Sequence, residues 1–258
     1  MSNKKINAEQ GHWLLAKMGK KVLRPGGKEL TMALMREMDI TPRDHVVEFA
    51  PGMGFTANIA LANHPESYKG VELNEEAASL LRTKINGPGR EIIIGNAADT
   101  GLPEESATKV YGEAMLTMQA DHRKSEIVRE ARRVLSKGGL YGIHELGLTP
   151  GNLSPELKKE IQRELAKVIR VNARPLTVPE WTEIMEEEGF RIRKVVTNQM
   201  LLLENHRILS DEGWLRTLKI TWNIMTHPRA RKQIRAMRSV FRKYMTHMNA
   251  VAIIAEKI

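Results

Sequence analysis

The stretch Val46-Val47-Glu48-Phe49-Ala50-Pro51-Gly52-Met53-Gly54 decides how this chain folds. It joins a short apolar run, which is typical of a buried strand, to a turn that contains two glycines. Small and apolar residues follow as far as Ala62 and predict a helix directly after the turn. A strand, a glycine turn and a helix in this order form the first unit of an open parallel sheet, in which ligands bind at the carboxyl ends of the strands.

Working outward from this stretch, apolar runs and amphipathic segments continue to alternate. Further strands are predicted at 68–73, 91–95, 109–113, 140–146, 191–203 and 250–255, and helices between the early strands at 75–85 and 122–135. Strands that alternate with helices predict an α/β fold, an open and mostly parallel sheet of seven strands with helices on both faces.

Three further segments lie outside this alternation. Residues 1–40 are predicted to form N-terminal helices, and residues 41–258 form the sheet domain. Two helical insertions interrupt that domain, at about 152–173 and 205–247. We expect the inserted helices to form a lid, together with the N-terminal helices that precede the core. Residues of these segments include Leu14, Leu15, Met18, Val22, Leu23, Trp214, Trp222 and Met225. A lid rich in Met and Trp would suit an apolar or aromatic ligand, although each of these residues could equally belong to the lid's own core.

Composition excludes several classes of protein. The chain has 258 residues, of which 41% are hydrophobic, and no cysteine. Disulfides, thiolate metal sites and cysteine nucleophiles are therefore excluded. The N-terminal sequence lacks the apolar run of a signal peptide and no stretch is long enough to cross a membrane, so we expect a cytoplasmic protein.

The positive charge of the chain is concentrated near its C-terminus. The formal net charge is +9, and residues 205–258 carry eleven Lys and Arg against three acidic residues. Within 228–247 the apolar residues recur every three or four positions, which predicts a basic amphipathic helix. Its apolar stripe can pack on the body of the protein and leave the charges solvated. Contact with an anionic membrane surface and contact with RNA are the alternatives.

Two carboxylates accompany the glycine turn. Gly52, Gly54 and Ala57 form the pattern G-x-G-x-x-A, and Glu72 ends the second strand twenty residues after Gly52, where a carboxylate can bind both hydroxyls of a ribose. Glu48 precedes the turn. Its charge would repel the pyrophosphate of a dinucleotide and attract a sulfonium or an amino group, so the pattern favours a cationic nucleoside over NAD.

These residues resemble the motifs of the class I S-adenosylmethionine-dependent methyltransferases, close to the subgroup of ubiquinone and menaquinone biosynthesis. The resemblance rests on four motifs in order, Val46–Gly54, Gly70–Leu73, Gly95–Asp99 with Leu102-Pro103, and Arg133–Gly139. It covers about 44–146 and implies a Rossmann-like fold with S-adenosylmethionine as cofactor. In two places this chain departs from the family's usual residues, with Asn96 in place of Asp and Pro51 in place of Cys or Gly.

The resemblance also implies how the cofactor is held. The residues that would line its methionine part are Glu48, Ala50, Gly52 and Gly54. Glu72 would bind the ribose, and the residues that would meet the adenine are Leu73, Asn96 and Ala97.

Candidates for acceptor chemistry lie at the ends of the fourth and fifth strands. Glu113 is a candidate base or acceptor-orienting residue, and His144 is a second candidate. Either could instead be structural, Glu113 as a capping or ion-paired carboxylate and His144 as a buried core histidine. The histidines show no metal-binding spacing, so no metal is expected.

The sequence thus predicts an enzyme that methylates a small molecule, apolar or aromatic, at oxygen, nitrogen or carbon. No Asn/Asp-Pro-Pro-Tyr sequence follows the fourth strand, and no cysteine is available for cytosine C5 chemistry, so nucleic acid is a less favoured acceptor. Two alternatives stay open at this point, an RNA-binding protein or RNA methyltransferase that uses the basic helix, and a non-catalytic subunit that binds S-adenosylmethionine. The oligomeric state is not predicted.

Overall fold

A computed structural model of the chain describes residues 11–20 and 24–258, apart from the side chains at 12, 13, 205 and 206. Val22 and Leu23 of the predicted lid, and the first ten residues of the predicted N-terminal helices, lie outside this description. The strands are β1 (His45–Phe49), β2 (Ser67–Glu72), β3 (Arg90–Ile94), β4 (Ala107–Glu113), β5 (Leu135–Leu148), β6 (Leu176–Thr177), β7 (Phe190–Gln199) and β8 (Met248–Lys257).

Helices separate the strands as the sequence predicts. They are α1 (Gly11–Lys17), α2 (Gly27–Met38), α3 (Phe55–Leu61), α4 (Glu75–Lys84), α5 (Asp121–Val134), α6 (Pro155–Ile169), α7 (Val178–Glu187), α8 (Asn205–Glu212), α9 (Trp214–Thr226) and α10 (Pro228–Lys243). A single 3₁₀ turn at Leu116–Met118 follows β4. Asn74 accepts a hydrogen bond from the amide of Ala77 at 2.9 Å and so caps α4.

The sheet has the order β3-β2-β1-β4-β5-β8-β7, and the two-residue β6 pairs with β5. The pairs among β1 to β5 are parallel, whereas β8 is antiparallel to both β5 and β7. The strand order reverses beside β1, between β2 and β4, and this arrangement opens a crevice at the carboxyl ends of the strands. The mostly parallel α/β fold predicted from the sequence is confirmed.

Both faces of the sheet are covered. One apolar core lies between the sheet and α5 and α7, and includes Phe49, Ile127 and Trp181. A second core lies on the other face under α2, α3 and α4, and includes Leu34 and Leu81. The sheet therefore has two buried faces, which is why β5 and β8 are buried along most of their length.

The insertions form a third apolar core beyond the sheet. It unites α1, α6 and α10 through side chains such as Leu15, Ile161 and Met237. Met200, Leu202 and Leu203 also join this core, although the sequence predicted that the strand would continue to Leu203. β7 ends at Gln199 because its partner strand begins at Met248, so no backbone remains to pair with the later residues.

Two predictions about the helical segments have different outcomes. The apolar stripe of the basic helix α10 is buried through Ile234, Met237 and Phe241, so it packs on the body of the protein. Trp214 and Trp222, in contrast, are exposed on α9 and do not line a lid interior. Among the described residues, no helix combines the length and apolar character that crossing a membrane requires.

Candidate functional site

The glycine turn after β1 follows a tight, left-handed course. Ala50 has a φ of 52°, Gly52 of 56° and Gly54 of 77°. A side chain at Gly54 would approach Leu81 to 2.9 Å, so packing against α4 requires glycine there. A Cβ on Gly52 would meet only the Ala50 carbonyl oxygen, at 3.9 Å, so the space over this residue is open. The turn is thus closed toward the protein and open toward the crevice.

Glu72 lies directly against this turn. It is buried, and its two carboxylate oxygens accept hydrogen bonds from the amides of Gly52 at 3.2 Å and Asn74 at 2.9 Å. Burial raises the pKa of Glu72 above its ordinary value, and the backbone donors oppose that rise. The structure therefore brings together the turn and the carboxylate that are twenty residues apart in the sequence.

The remaining predicted cofactor residues surround Glu72. Leu73 is 63% exposed, so its apolar side chain is available to a ligand. The carbonyl of Glu72 accepts a hydrogen bond from the amide of Gly95 at 3.0 Å, which places the third motif beside the second. The side-chain oxygen of Asn96 accepts a hydrogen bond from the amide of Ala98 at 3.1 Å.

Glu48 lies deeper in the sheet than the other cofactor candidates. Its Oε2 accepts hydrogen bonds from the hydroxyls of Tyr68 at 2.5 Å and Tyr111 at 2.8 Å. Burial raises the pKa of Glu48 to about 7, against the effect of these two donors. The negative charge expected at this position is therefore only partly developed at neutral pH.

Glu113, at the end of β4, is the centre of a buried polar cluster. Its Oε2 accepts from the Arg24 guanidinium and the Thr56 hydroxyl, and its Oε1 accepts from the Thr31 hydroxyl at 2.8 Å and from His144 Nδ1 at 2.6 Å. Burial by itself raises the pKa of Glu113, but the Arg24 charge and the His144 hydrogen bond outweigh it and hold the pKa at about 2. A carboxylate in this state is fully ionised and a weak base.

His144, on β5 beside the last residue of β4, is fully buried in the same cluster. Nδ1 faces Glu113, and Nε2 faces the carbonyl oxygen of Pro25. The imidazole thus lies between a carboxylate on β4 and a backbone carbonyl before α2, and it joins β5 to the N-terminal segment.

Glu145 and the 3₁₀ turn fix the loop after β4. Glu145 is buried and accepts from the amides of Met115, Leu116 and Thr117 at 2.9, 2.8 and 3.0 Å. Its carboxylate is fully used by this loop. Among the described residues, no group of His, Asp and Glu has an arrangement that could hold a metal ion.

Sequence reasoning identified the buried carboxylates Glu48 and Glu113 but missed most of their partners. The missed residues are Tyr68 and Tyr111, which donate to Glu48, and Arg24, Thr31 and Thr56, which donate to Glu113. Arg24 lies in the Arg-Pro-Gly-Gly turn, which signalled a break in the chain and nothing about what its side chain would contact. Its guanidinium also lies over the ring of Phe55, 5.0 Å from the centroid.

Sequence comparison connects this site to a family. Residues 47–143 match the family described as a methyltransferase domain. Over 254 residues the chain is 34% identical to an uncharacterized protein of Haemophilus influenzae, and the match covers 96% of this chain and 98% of that protein. This chain belongs to the class I S-adenosylmethionine-dependent methyltransferases.

Solved structures share the fold of this methyltransferase. One is Haemonchus contortus phosphoethanolamine N-methyltransferase 2 in complex with S-adenosyl-L-methionine, with a TM-score of 0.70, 16% identity, and coverage of 97% of this chain and 59% of that one. Another is the [4+2]-cyclase SpnF, with a TM-score of 0.72, 13% identity, and coverage of 97% and 94%. A fold that also serves a cyclase does not by itself define a reaction.

The methyltransferase match covers only one part of the site. Residues 47–143 include all the predicted cofactor residues and Glu113. They stop one residue before His144 and exclude the N-terminal segment that supplies Arg24 and Thr31. S-adenosylmethionine is the cofactor of this family, and the open space over Gly52 beside the Glu72 carboxylate fits it.

Proposed function

We propose that this methyltransferase transfers a methyl group to a small-molecule acceptor, apolar or aromatic, at oxygen, nitrogen or carbon. The proposal rests on one observation: the N-terminal segment covers Glu113 and His144, the residues of β4 and β5 that are candidates for acceptor chemistry. Arg24 binds Glu113 at the end of β4, and the Pro25 carbonyl binds His144 on β5. A folded macromolecule would have to displace this segment, whereas a small molecule needs only the space beside it.

Residues of the first three motifs are assigned to the cofactor. Glu72 would bind the ribose hydroxyls, and Leu73, Asn96 and Ala97 would contact the adenine. Glu48, Ala50, Gly52 and Gly54 would line the methionine part, with Glu48 farthest from it because its Oε2 is held by two tyrosines. When bound, S-adenosylmethionine supplies an electrophilic methyl group carried on a sulfonium.

Glu113 and His144 are assigned to the acceptor as orienting residues. The structure gives Glu113 a pKa of about 2 and four hydrogen-bond donors, so it is a poor candidate for removing a proton. As a fully ionised acceptor it can instead hold Arg24 and His144 in fixed positions. Methyl transfer is an in-line displacement, and the rate depends strongly on alignment of the reacting atoms. Acceptors that need no base, such as a neutral amine, suit this arrangement.

Apolar surface next to the cluster supports an apolar or aromatic acceptor. Phe55, which is half-buried, lies beside Arg24 at the start of α3. Met115 and Leu116, two and three residues after Glu113, are buried in the apolar core and offer no surface. The exposed tryptophans of α9 do not contribute to this argument.

The test is a turnover assay that starts from an undefined acceptor. Purified protein is incubated with S-adenosylmethionine and either fractionated metabolites or total RNA, and S-adenosylhomocysteine release is followed. We expect release with a low-molecular-mass fraction and none with RNA. Glu72→Ala should release roughly a tenth or less of the parental amount at a cofactor concentration near the parental Kd. Release that depends on RNA, together with salt-dependent retention on RNA, would support the nucleic-acid alternative instead.

A further inference from the structure

Helix α9 turns a row of large apolar side chains toward solvent. Trp214 is 66% exposed, Leu215 79% and Trp222 67%, and Leu218 and Met225 are also exposed. Successive residues of an α-helix are about 100° apart, so these five side chains occupy one arc of about 100°. Scattered exposed apolar residues are ordinary, but five on one face form a contiguous patch that marks an interaction surface.

The surroundings of this apolar face are strongly basic. Residues 213–247 contain nine Lys and Arg and no Asp or Glu. Within residues 11–20 and 24–258, five of these side chains form no ion pair, namely Lys219, Arg229, Arg231, Lys232 and Arg235. The positive charge of this region is thus largely uncompensated by the protein itself.

Apolar and basic side chains meet in one open groove between the helices. Its volume is about 610 Å³, and its lining includes Trp214, Leu218 and Met225 from α9 together with Arg231 and Arg235 from α10. A ligand surface that contacts the groove must therefore offer apolar groups and negative charge side by side.

Buried contacts hold this surface in its exposed position. Lys20 is buried and lies 3.7 Å from Asp211 and 3.8 Å from Glu212 at the end of α8. Asp211 also accepts from the amide of Lys28 at 2.9 Å. The inward face of α9 is occupied by Ile220, which is buried. The exposed row cannot turn inward without breaking these contacts.

We propose that α9 and the first half of α10 form a docking surface for a lipid bilayer that carries anionic head groups. Tryptophan is favoured at the interface between head groups and acyl chains, and leucine and methionine can enter the apolar region. Arg and Lys beside them attract the lipid phosphates. The sequence suggested such contact through residues 228–247 alone, but the apolar stripe of α10 is buried, so the inserting face belongs to α9.

Charge disfavours the other occupants of this surface. A second copy of the chain would bring two sets of unpaired basic residues together with no acidic residue of 213–247 to compensate them. Nucleic acid would satisfy the charge and leave Leu215, Leu218 and Met225 in contact with water. Only an anionic amphiphilic surface satisfies both features.

The test is sedimentation of the full chain with vesicles of phosphatidylcholine, with and without 30 mol% phosphatidylglycerol, at low and moderate salt. We expect co-sedimentation with the anionic vesicles, weakening with salt, and a blue shift of tryptophan emission. Trp214→Ser/Trp222→Ser should lose the shift and bind roughly tenfold or more weakly. The fourfold variant Arg229→Gln/Arg231→Gln/Lys232→Gln/Arg235→Gln should also bind roughly tenfold or more weakly.

Matched variants separate this surface from general effects. Met32→Ser/Leu80→Ser removes two exposed apolar side chains elsewhere, and Arg36→Gln/Arg43→Gln/Lys84→Gln/Lys137→Gln removes the same number of charges from other exposed positions. Both should bind as the parent does. The proposal is overturned if the parent ignores anionic vesicles, or if the tryptophan variant binds them unchanged. It is equally overturned if sedimentation velocity shows a dimer that the tryptophan variant abolishes while vesicles are not bound.

Discussion

At the carboxyl edge of the sheet, the half beyond β1, β2 and β3 is built from consecutive loops, whereas the half beyond β4 and β5 is completed by the N-terminal segment. In the first half, Glu72 accepts a hydrogen bond from the amide of Gly52. The two residues belong to consecutive strand-turn-helix units. In the second half, Glu113 binds Arg24, which is 89 residues earlier in the chain. The first half can be recognised from local motifs. The second is visible only after folding has brought distant residues together.

Each half also contains a buried carboxylate, and the pKa values of the two carboxylates are shifted in opposite directions. Glu48 has two tyrosine hydroxyls as partners and a pKa raised to about 7. Glu113 has a guanidinium, an imidazole and two threonine hydroxyls, and a pKa lowered to about 2. Burial raises both values, so the sign of the net shift depends on whether a cation faces the carboxylate.

The largest expected effect is on turnover, and it concerns the half beyond β4 and β5, whose residues are assigned to the acceptor. Glu113→Gln keeps the size of the side chain but loses the charge that holds Arg24 and His144, so turnover should fall by roughly 10²–10⁴ while S-adenosylmethionine affinity changes little. The measurement is S-adenosylhomocysteine release with kcat and KM determined separately, and calorimetry for the cofactor. His144→Gln is the parallel variant. Near-parental turnover in both would show that alignment does not depend on this cluster.

The next effect is a pair of opposite pH dependences in stability. Glu113 has a lowered folded pKa, so it contributes stability above pH 4.5 that is lost as the pH falls through about 2. Glu113→Gln should therefore be less stable than the parent by about 3 kcal/mol at pH 7, and the difference should shrink in acid.

Glu48 should behave in the opposite direction. Its raised pKa means that the folded protein keeps a proton that the unfolded chain has lost, so stability falls as the pH rises from 4.5 through about 7. Glu48→Gln should match the parent at pH 4 and exceed its stability by about 3 kcal/mol at pH 8. Urea denaturation across this pH range measures both variants. If the difference in stability between variant and parent has the same sign for Glu113→Gln and Glu48→Gln, the contrast between the two carboxylates is wrong.

A smaller effect, on cofactor affinity, is expected in the half beyond β1, β2 and β3, whose residues are assigned to the cofactor. Glu72→Ala removes the carboxylate assigned to the ribose and should weaken S-adenosylmethionine binding by about 2 kcal/mol, the scale of a charged hydrogen bond. Isothermal titration calorimetry on the folded variant measures this. Glu76→Ala, at an exposed position on the first turn of α4, is the matched control and should bind as the parent does. Unchanged affinity in Glu72→Ala would remove the ribose assignment.

The smallest effect is expected from changes in the basic helix α10. It shows whether the half beyond β1, β2 and β3 binds the cofactor independently of that helix. The fourfold Gln variant of α10 should bind S-adenosylmethionine within about a factor of two of the parent, because none of these residues contacts the glycine turn and exposed charges act weakly over distance. The same calorimetric titration applies. A large loss would show that α10 supports the cofactor loops, contrary to their separation in the fold.

Much of the fold follows from the sequence because its signals are local. The apolar run at 45–49, the glycine turn and the helix after it are each specified within a few residues, and β1 to β4 lie within two residues of their predicted positions. β5 was predicted at 140–146 but begins five residues earlier, at Leu135. β6 has two residues and carries no periodicity that a pattern could detect. The end of β7 was missed because it depends on where its partner strand begins.

By itself, the sequence determined the parallel sheet, the glycine turn after β1 and the concentration of charge near the C-terminus, since each depends on residue types at short spacing. Tertiary structure alone decided that Arg24 pairs with Glu113, that His144 lies between Glu113 and the Pro25 carbonyl, and that α9 rather than α10 exposes its apolar face. Those outcomes depend on which distant groups share a buried space. Burial and the nearest cation together determine the charge state of each side chain there.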